Sequence, residues 1–163
     1  MQHVDRYVPA NTNGGWGIAA GVVLLALACI ATVRGALGDE TGCIRGFAEA
    51  FDYCVDVGDR PSLFGTWMMA VAPLVRLGRV ELAVCCAAGK TGAGGGVQFL
   101  SAKALEQYED ALRDAREQLG PRTYDALWAE FEALGYDEVV EELRERFTNA
   151  LDEPLGSGML PPS

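Results

Sequence analysis

The eighteen positions from Trp16 to Val33, WGIAAGVVLLALACIATV, carry no charged side chain. At ~1.5 Å per residue a helix of this length is about 27 Å long, close to the ~30 Å hydrocarbon thickness of a bilayer, so it can span with little tilt. Core helices of water-soluble domains have a polar face, whereas this run is apolar on all sides. Trp16 and Arg34 stand at its two ends, where membrane-interface residues belong. The preceding stretch sets Arg6 against Asp5 and lacks the positive cluster of a signal peptide. Ala26 stands where a lipoprotein cleavage box takes a larger aliphatic residue, and the apolar run continues past Cys29. The expectation is an uncleaved, single-pass transmembrane helix over 16–34.

Within that run Gly17 and Gly21 lie four residues apart, and Ala28 and Thr32 repeat the spacing. Small residues at this interval let two helix backbones approach closely in lipid, so these four are the candidate helix-packing positions. Arg6 flanks one side of the run, and Arg34 and Arg45 flank the other. By a margin of one charge, the positive-inside tendency puts the C-terminal part on the cytoplasmic or matrix side.

Charge divides the rest of the chain. Residues 97–163 hold 6 basic and 15 acidic side chains, a balance of −9, against −1 for residues 1–96. That field repels phosphates and anionic headgroups, so nucleic acid is not an expected partner. Five cysteines (Cys29, Cys43, Cys54, Cys85 and Cys86) do not close a disulfide framework, and the sole histidine, His3, has no cysteine at zinc-ligand spacing. No metal is expected.

A helix is expected from Glu40 to Val57, with Cys43, Phe47, Ala50 and Cys54 along one face. Its two cysteines stand ~16 Å apart, too far to bond to each other, and read as buried thiols. Gly58-Asp59-Arg60-Pro61 is a turn, and Ser62 is placed to cap the next helix. The segment LFGTWMMAVAPLV is apolar on nearly all faces, yet as helix it covers only ~20 Å, too short to span. Extending it to Ala88 would bring Arg76, Arg79 and Glu81 into lipid. A helix lying at the membrane interface or against a partner subunit is expected instead, with Trp67, Met68 and Val71 as partner contacts.

Gly89-Lys90-Thr91 ends like a phosphate-binding loop, but Val84 stands where the first glycine is required, so nucleotide binding is not expected. GKTGAGGG reads as a flexible linker. Beyond it three amphipathic helices are expected, over Phe99–Leu119, Pro121–Leu134 and from Asp137 as N-cap to Leu151, with Gly120 and Gly135 as stops. Short connections make them an antiparallel bundle. Three helices form a small core, so part of their apolar surface needs another chain or the membrane-proximal helices.

The resulting fold class is mainly α: a single N-terminal transmembrane helix, middle apolar or interfacial helices and a small C-terminal antiparallel helical bundle. The segments are 1–15 outside the membrane, 16–34 spanning, 35–88 membrane-proximal, 89–97 linker, 98–151 acidic helices and 152–163 extended tail. Carboxylates sit beside arginines on exposed helix faces, as in Asp110 with Arg113 and Glu142 with Arg146, and no nucleophile–base pair emerges. The expected function is therefore non-catalytic and cofactor-free: an accessory or assembly subunit of a large membrane complex, with protein subunits and lipid as partners. Bioenergetic complexes most often recruit such subunits, which favours a respiratory-chain or ATP-synthase complex of the mitochondrial inner membrane over a photosynthetic or bacterial one. The alternative is a membrane-tethered docking module whose acidic helices recruit a basic partner.

Overall fold

The breaks in the apolar pattern become helix ends. A computed structural model describes residues 14–92 and 101–152, with side chains from Val23 onward. Among these residues lie α1 (Gly14–Ala36), α2 (Glu40–Val57), α3 (Arg60–Arg76), α4 (Val80–Gly92), α5 (Ala102–Leu119), α6 (Pro121–Glu132) and α7 (Tyr136–Asp152). The expected segment before residue 14, the linker after Gly92 and the tail beyond Asp152 lie outside the described residues.

The first three connections share one construction. Gly38, Gly58 and Gly78 fall twenty residues apart and take φ of 80°, 70° and 78°, a left-handed conformation that glycine adopts without strain. Asp39 follows the first and accepts from the Gly42 N–H at 2.9 Å. Asp59 follows the second and accepts from the Ser62 N–H at 3.2 Å and the Ser62 hydroxyl at 2.6 Å. The cap of α3 is thus Asp59 rather than Ser62, whose hydroxyl donates to it. Further on, Ser101 caps α5 by accepting from Ala104 N–H, and Glu138 reaches back to the Gly135 N–H at 2.9 Å to close the start of α7 in place of Asp137.

Short connections make α1 and α2 one helical hairpin and α3 and α4 a second, and α3 packs against both helices of the first. The result is a stack of two hairpins, the unit from which α-solenoids grow. The three remaining helices do not form a bundle of their own. α5 packs on α3 and α4, α6 chiefly on α4, and α7 on α2 and α4. Their apolar stripes converge on α4, in which every residue from Leu82 to Lys90 is buried. Phe131, Val139 and Leu143 therefore share one continuous core with Ile44, Phe47, Phe51, Leu63, Trp67 and Leu74.

Several expectations need correction. The helix expected over 16–34 forms as part of α1, but among the described residues no helix is long and apolar enough to cross a membrane. One side of α1 is occupied by protein, since Leu24, Ala28 and Ala31 are buried in the common core. The apolar segment after Ser62 is packed within the chain itself. Its all-round hydrophobicity reflects burial between α1, α2, α4 and α5. Gly89–Gly92 is not linker but the last turn of α4, with Lys90 inside the protein.

Candidate interaction surface

The inner side of α1 is built for close approach. A Cβ placed on Gly46 of α2 would stand 2.9 Å from the Ala31 Cβ, so the two helices cross where neither carries bulk. Ala28, expected to pack against a second helix in lipid, is 2% exposed within this chain's own core. Thr32 is half-buried and donates its hydroxyl to the Ala28 carbonyl at 2.8 Å, inside its own helix. The close approach of α1 to α2 is made at Ala31 and Gly46, outside the spaced set Gly17, Gly21, Ala28 and Thr32. Gly17, Gly21 and Trp16 lie within α1 ahead of the described side chains. Arg34, expected at a membrane interface, is exposed near Asp39, at 4.0 Å, beside the α1–α2 turn.

The outer side of α1 differs from the rest of the surface. Val23, Leu25, Ile30, Val33 and Leu37 are 48–80% exposed, and Val57 is the sole other large hydrophobic side chain of that exposure among the described residues. Val23, Ala26, Ile30, Val33 and Leu37 follow one another at steps of three, four, three and four, the spacing that meets a second helix along a seam. Leu25 and Cys29 widen the stripe, and Arg34 is the one charged residue in the sequence between Val23 and Leu37. Such a contiguous apolar row on an otherwise charged surface marks a contact site.

Trp67, Met68 and Val71, expected to reach a partner, are at most 4% exposed. The Trp67 ring stacks on Phe51 of α2 at 6.0 Å between centroids and meets Phe64 at 5.6 Å. Its indole N–H has no acceptor among the described residues. These side chains hold α3 to its own neighbours, which the apolar pattern could not distinguish from contact with another chain.

No cluster of metal-binding side chains occurs among the described residues. Gly89, Lys90 and Thr91 are helical, with the Thr91 hydroxyl bonded to the Ala87 carbonyl at 3.3 Å, so they form no phosphate-wrapping loop. On α5 and α7 the arginines pair with carboxylates one turn away, Arg113 with Asp110 at 2.8 Å and Arg146 with Glu142 at 2.9 Å.

Cys43, Cys54, Cys85 and Cys86 are buried free thiols, and Cys29 is exposed. Burial pushes Cys43 and Cys54 up to about 11, Cys85 up to about 12, and Cys86 upward as well. The unfolded thiols ionise near their ordinary value of 9.0. Above that pH the unfolded chain binds fewer protons than the folded one, so stability is complete below pH 9 and falls as pH rises. The loss from Cys43 and Cys54 develops between pH 9 and about pH 11, the window between their unfolded and folded values. Burial of Lys90 lowers its pKa and acts in the opposite sense as pH climbs toward 10.5, but it is one amine against four thiols. Urea midpoints at pH 7, 9 and 10.5 test this expectation, and a flat profile would show that the thiols are not held neutral by the fold.

Comparison of the chain with protein-family models, curated proteins and solved structures finds no match.

Proposed function

We propose that this chain is a non-catalytic assembly module that joins a larger complex through the outer face of α1. The carrying observation is the uncovered row Val23–Ala26–Ile30–Val33–Leu37, spaced for a partner helix on a surface otherwise dominated by charge. Burying a Leu or Ile side chain stabilises by about 1.5–3 kcal/mol, so covering this row with a matching apolar helix favours a contact. The negative field of α5–α7 lies on other helices and keeps those faces solvated.

In its finer form the host is a membrane complex, a bioenergetic one of the mitochondrial inner membrane by preference, and the outer stripe of α1 is its lipid-facing element. The uncharged run from Trp16 to Val33 supports this form. Because α2 and α3 cover the inner side of α1, lipid meets the outer stripe first.

Ile30→Glu and Val33→Glu test the proposal. Each is expected to lower co-migration with the native assembly at least tenfold, because a carboxylate in an apolar seam is desolvated without a partner. The stability of the isolated chain should stay within about 0.5 kcal/mol, as for other exposed sites. Retained co-migration in both variants would remove α1 as the contact. Loss of flotation with vesicles in the same variants, with no protein partner on the wild type, would assign the face to lipid.

A further inference from the structure

Lys90 is 4% exposed, and the acceptor its ammonium meets is the Met68 thioether, with Nζ 3.7 Å from Sδ. The Tyr108 ring lies on another side, its centroid 5.5 Å from Nζ. Among the described residues no carboxylate pairs with Lys90. A buried charge without a counter-charge is unfavourable, and a thioether is a weak acceptor.

Met68 and Tyr108 are also walls of a groove of about 330 Å³ between α1, α3 and α5. The remainder of its lining is mostly apolar, including Met69, Ala72, Pro73 and Ala111. Lys90 thus stands directly behind the groove wall. Arg76 contributes a second cation to the lining. Asp110 and Asp114 line the groove as well, and Asp110 is already paired with Arg113. The space is at the lower end of the range for small-molecule sites.

We infer that this groove binds a small amphiphilic carboxylate, with its hydrocarbon against Met69, Ala72 and Ala111 and its carboxylate on the Lys90 ammonium. Met68 is the movable element. An unbranched thioether has three rotatable bonds, so it yields its place beside Nζ to a stronger acceptor at little cost. An apolar tail without a charge would fill the groove and leave the ammonium unpaired. A free inorganic anion would pair with it and leave the groove empty.

The experiment is a calorimetric titration of the full chain with octanoate, 1-octanol and octylammonium. Octanoate is expected to bind at least tenfold more tightly than octanol, and octylammonium more weakly than either. Equal affinity for octanoate and octanol on the wild type overturns the inference, and this comparison needs no variant. Lys90→Met keeps the side-chain length, removes the charge and should melt at or above the wild-type temperature. In that variant the preference for octanoate over octanol should vanish, and a preference that survives also overturns the inference. Ile30→Glu should leave it intact, which separates the groove from adsorption on the outer face of α1.

Discussion

Trp67→Ala is expected to destabilise the isolated chain by about 3–5 kcal/mol, the cost of emptying a fully packed aromatic site. Trp67 is 1% exposed, stacked on Phe51 and tilted against Phe64, so its removal separates α3 from α2 at the centre of the two-hairpin stack. Phe51 also meets Phe147 of α7 at 6.2 Å, which carries the loss into the C-terminal helices. Against a typical total of about 5–15 kcal/mol, the variant approaches the edge of folding. Trp67→Phe should retain most of the stability, because the indole N–H that it deletes has no acceptor among the described residues. Urea denaturation followed by circular dichroism measures both. A Trp67→Ala protein with unchanged stability and lost assembly would return Trp67 to the role of partner contact.

Gly89→Leu should be of comparable size and confined to the other half of the molecule. A Cβ at this position stands 2.6 Å from a Val139 methyl, with Phe131 and Leu143 within 3.7 Å. The added isobutyl group forces α4 away from α6 and α7, and overpacking of this kind costs about 3 kcal/mol or more where the walls are branched side chains. Gly89→Ala is a closer balance, because alanine gains about 1 kcal/mol of helix propensity while its methyl still crowds Val139. Hydrogen exchange distinguishes the two halves. Protection should fall in α4, α6 and α7 and persist in α1–α3, whereas uniform loss would mean that the molecule unfolds as one unit.

The sequence was informative wherever backbone chemistry is local. The ends of α2 follow from Asp39 and Gly58, and the α5–α6 junction from Gly120-Pro121, because capping aspartates, left-handed glycines and N-terminal prolines act within one turn of their own position. The twenty-residue recurrence of Gly38, Gly58 and Gly78 was also available and marks the hairpin stack, but a period carried by single glycines is easily passed over. What covers an apolar helix was not legible. The Trp16–Val33 run reads alike whether lipid or protein lies against it, and only coordinates separate Ala28 and Ala31 inside from Ile30 and Val33 outside. Lys90 was misplaced for a related reason. Glycines on both sides suggested a linker, while the contacts that bury it come from Met68 and Tyr108, twenty-two residues before it and eighteen after.

The return of α7 onto α2 also bears on how the molecule is made. Arg144 reaches Asp52 across 92 residues of chain, and Phe147 meets Phe51 over a similar distance. Contacts this remote close late, after the entropy of a long loop has been overcome. During synthesis the two hairpins emerge first, while the helices that shield α4 are still to come. Its apolar surface then waits for α5–α7 and is open to self-association or to a chaperone. Slower elongation through that interval is expected to lengthen this exposure and to lower the folded yield without changing the stability of the finished protein.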